Sequence, residues 1–184
     1  MTNGFDFNEA YEALSSLYSS RLLEKKKHNA GGKSDVAKKP VDSWLATFTT
    51  FKDLKIPAAD GQFKPLASEE FVAGFNAFRK VQTDYDIARL LDKLGRIVAS
   101  FEPNGRSKIG ESEKINGVDY PAYELKIGET STHKPIRAIY FTKTGEDGQK
   151  YVIFASLFLH TEKRLTNAER NSGRGAYLAA NPRK

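Results

Sequence analysis

The fold of this chain is decided by an almost uninterrupted apolar stretch, YVIFASLFL, which spans residues 151–159. β-Branched and aromatic residues at nearly every position are typical of a strand that is buried on both faces. We therefore predict that this stretch is the central strand of a sheet around which the rest of the domain packs.

Further strands are predicted upstream of this central stretch. Residues 120–127 and 136–142 have the same β-branched and aromatic composition, and the turn sequence Glu146-Asp147-Gly148 predicts a hairpin between the second of them and the central strand. Residues 44–51 alternate apolar and small polar side chains and are predicted as a fourth strand. Residues 57–65 are expected to be irregular.

Two consecutive helices are predicted between these strands. Ser68 is placed to cap the first, whose opening turn carries Glu69 and Glu70, acidic where the helix dipole favours negative charge. A second helix begins near Asp84, and its apolar residues recur with the 3.6-residue period. Two consecutive amphipathic helices form a hairpin that needs an apolar surface to pack on, and the predicted sheet provides it.

The C-terminal end is predicted to be one further helix. Thr166-Asn-Ala-Glu169 has the spacing of a capping box, which predicts a helix start, and the helix is expected to continue to Leu178. Gly173 and Gly175 weaken it, by about 1 kcal/mol each relative to Ala.

The first 40 residues form a separate part of the chain. Residues 5–27 predict an amphipathic helix, and residues 28–40, which lack periodicity and contain Gly31-Gly32, predict a basic linker. The apolar stripe of this helix is made of Phe7, Tyr11, Leu14, Leu17 and Leu22. It needs a partner, which is the rest of the domain, a second copy of the chain in a homodimer, or another protein.

These elements predict an α+β fold. It is a small, antiparallel-dominated sheet packed against a two-helix hairpin with a C-terminal helix, preceded by an N-terminal amphipathic helix on a flexible linker. The expected division is residues 1–40 for the N-terminal helix and linker, and residues 41–184 for the folded domain.

The charge distribution favours a polyanionic partner. The net charge is +6, and residues 24–39, with six Lys and two acidic residues, carry a net +4. Residues 159–184 also carry six cations and two acidic residues, which leaves the remainder at −2. Two basic segments beside a near-neutral body suit phosphate binding, because each neutralised phosphate releases condensed counterions. The alternative is that a lysine run is simply a solvated segment.

Several classes of protein are disfavoured by what the sequence lacks. There is no Cys, and the three His lie in separate segments, so we expect no metal site and no cofactor. No apolar run approaches the ~20 residues that span a bilayer, and Met1–Asn8 does not resemble a signal peptide. We therefore expect a cytoplasmic protein without membrane contact. Phosphate-loop, zinc-protease and serine-hydrolase motifs are also absent from the sequence.

Three short motifs carry a resemblance to a known family. Arg137, Tyr140 and Phe141 match an R-x-x-Y-F strand, and Tyr123-Glu-Leu-Lys126 matches an E-L-R/K strand. The apolar strand ends in a Phe followed by several basic or polar residues, which residues 158–164 match. Together with the element order, these motifs resemble the RelE/HigB toxin superfamily, in particular its phage-derived, HigB-like branch. The resemblance covers about residues 66–181.

The resemblance implies the toxin of a type II toxin–antitoxin system. Such a toxin is an endoribonuclease, an mRNA interferase that cleaves messenger RNA on the ribosome and is blocked by a cognate antitoxin protein. The reaction needs no metal, because the RNA's own 2′-hydroxyl attacks the adjacent phosphate. The alternative is a non-catalytic, phage-derived module of the same fold that binds RNA, the ribosome or a host protein.

Candidate site residues follow from this resemblance and from the side-chain chemistry. An imidazole suits proton transfer near neutral pH, guanidinium and ammonium groups bind phosphate, and a phenol can stack on a base. The candidate catalytic residues are His160, Arg164, Lys163, Arg137 and Lys126, and the candidate RNA-binding residues are Lys163, Arg164, Arg170, Arg174 and Tyr177. The competing interpretations are a surface histidine, solvated loop cations, a strand-face lysine, a structural Arg137 and a core Tyr177.

Overall fold

The computed structural model describes residues 42–56, 62–100, 112–128, 130, 135–160 and 164–182. The helix and linker predicted over residues 1–40 lie outside the described residues, as does the candidate Lys163.

The described elements come in groups: a 3-10 helix and two strands, then two helices, four strands and two short helices. A 3-10 helix, Ser43–Thr47, comes first. The strands are β1 (Thr49–Thr50), β2 (Lys64–Ala67), β3 (Ser112–Lys114), β4 (Tyr123–Ile127), β5 (Ile136–Thr144) and β6 (Lys150–Leu159). The helices are α1 (Glu69–Val81), α2 (Asp84–Ser100), α3 (Asn167–Asn171) and α4 (Arg174–Ala180).

The strands form one mixed sheet in the order β1-β2-β6-β5-β4-β3. β6 pairs in parallel with β2 and antiparallel with β5, and the remaining pairings are antiparallel. The prediction that residues 151–159 form the central strand is therefore confirmed. The α+β class is confirmed as well.

One face of the sheet, here called the first face, is covered by α1. Phe71 of α1 lies 5.5 Å from the ring of Phe154 in β6, and Phe51 stacks on both. A Cβ at Gly74 would overlap the carbonyl oxygen of Leu157, so glycine lets the helix backbone rest directly on β6. The predicted cap is present, because the Ser68 hydroxyl accepts the Phe71 N–H at 3.1 Å.

The opposite face, here called the second face, is covered by the 3-10 helix and α4. Trp44 meets Tyr151 edge to face at 5.3 Å, and Ala176 and Ala180 of α4 complete this part of the core. Other buried members of the same cluster are Leu66, Ile115, Tyr120, Ala122, Ile139, Phe141, Ile153 and Ala155.

A β-bulge divides β6 into two halves. Ile139 pairs with Ser156 while Tyr140 pairs with Phe154, so Ala155 is an extra residue without a partner in β5. Its carbonyl instead accepts the Ser68 hydroxyl at 2.5 Å. A bulge shifts the two-residue alternation of a strand. Simple alternation from Phe154 would place Ser156 on the first face, but the bulge places Ser156 on the second face and shifts the residues beyond it in the same way.

Two strand predictions are wrong at the β1–β2 edge. Residues 44–51 were expected to form a strand, but Trp44–Thr47 belong to the 3-10 helix, and only Thr49–Thr50 pair with β2. Trp44 turns inward onto the sheet, and the Thr47 hydroxyl donates to the Trp44 carbonyl at 2.7 Å, which closes the helical turn. Lys64–Ala67, of which residues 64–65 were expected to be irregular, is β2 despite Pro65.

The C-terminal helix starts where predicted but is broken into two. The capping box is present, with Glu169 N–H donating to the Thr166 hydroxyl and Thr166 N–H donating to the Glu169 carboxylate. The break lies at Ser172 and Gly173, where a Cβ on Gly173 would stand 2.9 Å from both the Ala155 Cβ and the Tyr120 hydroxyl. The chain is therefore bent by its close approach to the sheet.

No helix among the described residues is both long and apolar enough to cross a lipid bilayer.

Candidate functional site

A cluster of charged side chains occupies the second face where β4 and β5 run beyond the apolar core. Lys126 is paired with Arg137 across the two strands, and Glu124 is paired with Ile139, whose side chain belongs to the second-face core. Residues paired in this way share a face, so Glu124, Lys126 and Arg137 point to the same side. As the alternation of β4 predicts, Leu125 is fully buried on the first face.

Glu124 is at the centre of this cluster. Its carboxylate lies 3.1 Å from Arg137 Nε and 3.8 Å from Lys126 Nζ, and it is largely buried. Arg137 Nε is also buried and has no well-directed hydrogen bond within the described part of the chain, so its contact with Glu124 is an ion pair. Two cations on one carboxylate stabilise its charge in a region of low solvent access.

A cleft opens above this cluster. It has a volume of about 230 Å³ and is lined by Lys114, Ile115, Asn116, Glu124, Lys126, Arg164, Leu165 and Arg170. Four of these side chains are cationic and one is anionic, and the four cations come from β3, β4, the residues before α3, and α3 itself. Because cations outnumber the one anion in this lining, the cleft is suited to an anion.

Arg170 is held at the rim of the cleft by backbone oxygens. Its Nε donates to the Leu165 carbonyl at 3.2 Å and its Nη1 donates to the Asn116 carbonyl at 3.3 Å. The guanidinium therefore bridges the segment before α3 and the turn after β3. Arg164, in contrast, is an exposed side chain of the cleft lining.

His160 lies behind the cleft wall and not at its surface. The side chain is 1% exposed, and its Nδ1 is 2.9 Å from Glu169 Oε1. Its Nε2 is buried and has no hydrogen-bond partner in the described residues. The interpretation of His160 as a surface histidine is therefore wrong. The imidazole is also not exposed in the way that a proton-transfer group of the cleft would need to be.

Glu169 connects His160 to the start of α3. Partial burial acts to raise the pKa of Glu169, but the bonds from His160 and Thr166 outweigh it and hold this pKa below its ordinary value. The carboxylate is therefore charged at neutral pH and acts as the acceptor for the Nδ1–H of His160.

Two of the predicted RNA-binding residues lie outside the cleft lining. Arg174 forms a bidentate pair with Asp119, with its Nη2 2.8 Å from Oδ2, and hydrogen bonding from this guanidinium lowers the pKa of Asp119. Tyr177 stacks on Tyr120 at 5.1 Å and meets Phe141 edge to face, so it packs against the core.

Tyr120 is a neutral phenol near neutral pH, because burial, followed by the charge of Asp119, raises its pKa to about 12. Its hydroxyl donates to the Arg170 carbonyl at 3.2 Å, which ties α3 to the sheet.

The structure thus brings together Lys126, Arg164 and Arg170, with Arg137 beside them through Glu124. Sequence reasoning missed Lys114 and Glu124. The signal for Glu124 was available, because it lies two residues before Lys126 in a strand, and such residues share a face. Lys114 carried no such signal, because β3 is only three residues long.

Within the part of the chain that the structure describes, no three His, Cys, Asp or Glu side chains are grouped as metal ligands would be. The arrangement of the cleft offers a carboxylate that can accept a proton and several cations that can stabilise a phosphate.

Comparisons of the chain with protein-family models, curated proteins and solved structures gave no match.

Proposed function

We propose that this protein binds RNA in the basic cleft and cleaves it without a metal, as the toxin of a type II toxin–antitoxin system. The observation that carries the proposal is the convergence of Lys114, Lys126, Arg164 and Arg170 around the single carboxylate of Glu124. A phosphate site needs the cations, and cleavage by an internal nucleophile needs the base.

The proposed reaction is attack by the RNA 2′-hydroxyl on the adjacent phosphorus. Glu124 takes the proton from the 2′-hydroxyl as the new oxygen–phosphorus bond forms. Arg164 and Arg170 stabilise the charge on the phosphorane, which is where preorganised donors have their largest effect. The bond to the 5′ oxygen then breaks, and Lys126 supplies the proton that the leaving oxygen takes up. The products are a 2′,3′-cyclic phosphate and a 5′-hydroxyl.

Arg137 supports this reaction from below the cleft. Its guanidinium pairs with Glu124 at 3.1 Å and is mostly buried, so its role is to orient the carboxylate. Arg137 is the arginine of the R-x-x-Y-F motif, and the sequence left its role open between structural and catalytic. Its contact with Glu124 fits a role in orienting that carboxylate.

The resemblance to RelE/HigB toxins adds to the proposal. The elements on which it rests are the two helices, the three antiparallel strands and the capped C-terminal helix, and all of them occur in that order. The same resemblance implies messenger RNA on the ribosome as substrate and a cognate antitoxin as partner, and both belong to the proposal.

The test uses the purified full-length protein with a defined RNA oligonucleotide and with translating ribosomes. We expect new RNA ends bearing a 2′,3′-cyclic phosphate, and cleavage that persists in excess EDTA. A single 2′-deoxy substitution at the cleaved position should abolish the cut. Cleavage of the 2′-deoxy RNA, or a requirement for magnesium, would contradict this mechanism. Induction in a bacterial host should inhibit growth and give the same ends.

A second function is favoured by one observation. His160, the residue best suited to proton transfer at neutral pH, is buried and paired with Glu169, so a cleft of cations remains that can bind without cleaving. A non-catalytic RNA-binding module would hold the oligonucleotide and leave it intact, on and off the ribosome. The same assay therefore separates the two functions.

A further inference from the structure

We infer that His160 is a positioning residue, which acts through Glu169 to hold the wall of the cleft that carries Arg164 and Arg170. The inference deepens the proposed function and rests on it, because the cleft is taken to be the RNA site. It assigns to His160 and Glu169 a role in RNA affinity and removes His160 from the proton-transfer steps.

Burial is the first argument. Only 1% of His160 is exposed, and its Nε2, the nitrogen that Glu169 leaves unused, is enclosed and has no hydrogen-bond partner among the described residues. His160 is also absent from the lining of the cleft. A proton donor or acceptor must come within hydrogen-bond reach of the reacting oxygen, and an enclosed nitrogen does not meet that requirement.

His160 joins two parts of the fold, the segment before β5 and the first turn of α3. Its backbone N–H donates to the Pro135 carbonyl at 2.9 Å, which fixes the residue to the segment that leads into β5. Its Nδ1 donates to Glu169 Oε1, while Glu169 Oε2 accepts the Thr166 N–H at 2.8 Å. One carboxylate therefore closes the capping box of α3 and anchors that turn to the sheet.

The turn that Glu169 anchors carries residues of the cleft lining. Arg164 and Leu165 directly precede the capping residue Thr166, and Arg170 directly follows Glu169. Arg170 Nε donates back to the Leu165 carbonyl, so the three cleft residues of this segment move with the turn. Loss of the bond between His160 and Glu169 leaves the turn attached through the contacts of Arg170 with Asn116 and Tyr120 and of Ser172 with Ser156.

Two substitutions separate positioning from proton transfer. The amide nitrogen of Asn lies near the position of histidine Nδ1 and can donate to Glu169, but Asn has no counterpart of Nε2. We therefore expect His160→Asn to restore what His160→Ala loses. His160→Gln, whose amide lies nearer the Nε2 position, is the matched control and should not restore it.

The measurement uses the full-length protein and a 2′-O-methyl RNA oligonucleotide, which cannot be cleaved. A hydrogen bond to a charged group justifies an expected loss of about tenfold in affinity for His160→Ala. His160→Asn should bind within about threefold of the unsubstituted protein, which is within the spread of a single neutral hydrogen bond. With cleavable RNA at saturation, His160→Asn should retain its single-turnover rate, and its pH profile should be unchanged.

Several outcomes would overturn the inference. One is a folded His160→Ala that binds the oligonucleotide as tightly as the unsubstituted protein. Another is a His160→Asn that binds normally but cleaves as slowly as His160→Ala, since that would return Nε2 to the reaction. Nitrogen NMR of labelled histidine should show a proton on Nδ1 of His160, and an Nδ1 without a proton would contradict the geometry even if His160→Ala fails to fold.

The failure of this inference is distinguishable from failure of the proposed function. If the unsubstituted protein binds no oligonucleotide, the proposed function falls. The Arg170 Nε–H resonance then still tests the positioning role, because it should shift in His160→Ala and return in His160→Asn. If the Arg170 Nε–H resonance does not shift in a folded His160→Ala, that result alone contradicts the inference.

Discussion

The two ends of the second face differ in chemistry. At one end, Phe141 of β5 and Ile153 of β6 lie in an apolar core closed by Trp44 and α4. At the other end, Glu124 of β4 and Arg137 of β5 lie beneath a cleft lined mainly by cations. The Ala155 bulge lies between them. The difference teaches that one sheet face can be an apolar core at one end and carry buried charge at the other, provided that the buried charges are paired.

The largest effect is expected at the apolar end. Phe141→Ala removes a fully buried ring that contacts Tyr120 and Tyr177, and we expect a loss of about 3–5 kcal/mol in the free energy of unfolding. Urea denaturation measures it. Val81→Ala, at an exposed position on α1, is the control and should change stability little. If Phe141→Ala were as stable as Val81→Ala, the apolar end would not be a core.

At the charged end the largest effect should be on cleavage. Glu124→Gln keeps the shape of the side chain but removes the proposed base, so the single-turnover rate should fall by about 10²–10⁴-fold. Affinity for an uncleavable RNA should stay the same or rise, because an anion has been removed from a cationic cleft. A folded Glu124→Gln that cleaves at the normal rate would exclude Glu124 as the base.

A matched pair of arginines tests where the RNA lies. Arg164 lines the cleft, whereas Arg174 is paired with Asp119 away from the cleft lining. Arg164→Ala should weaken RNA binding and reduce the slope of log affinity against log salt by about 1. Arg174→Ala should leave both nearly unchanged. Equal losses for the two variants would mean that RNA covers a broad basic surface instead of the cleft.

The smallest effect concerns pH and the turn that joins the two ends. The pKa of Glu169 is lowered in the folded protein, so its contribution to stability is present above the ordinary carboxyl pKa and is lost as the pH falls through the lowered value. The stability difference between the unsubstituted protein and Glu169→Gln should therefore shrink on acidification below about pH 4, near the ordinary glutamate pKa. Denaturation at several pH values measures it, and a difference that grows on acidification would reverse the assigned sign.

Much of the fold follows from local signals in the sequence. The strand over residues 151–159, the Ser68 cap and the Thr166–Glu169 capping box each depend on residues that are close in the chain, and each is present. The segment around Trp44 was mispredicted because its alternation resembles a strand. Trp44 instead packs against Tyr151, which is distant in the chain, and a local pattern cannot reveal that contact.

The candidate site was predictable only in part. The sequence indicated that cations near β4 and before α3 belong together, and Lys126, Arg164 and Arg170 do share the cleft. It gave no reason to exclude Arg174, whose partner Asp119 is 55 residues away. It also placed His160 at the surface, because a residue just beyond a strand is exposed unless something packs over it, and here Glu169 does.

The sequence by itself determined the strand over residues 151–159 and the starts of α1 and α3, because periodicity and capping act within a few residues. The tertiary structure alone decided which way the end of β6 faces. The unpaired Ala155 shifts the alternation, so that Ser156, Phe158 and His160 turn toward α3 and the cleft wall. A bulge exists only in relation to the partner strand, and its position is set by long-range pairing with β5 and by the Ser68 hydroxyl. No pattern inside residues 151–160 contains that information.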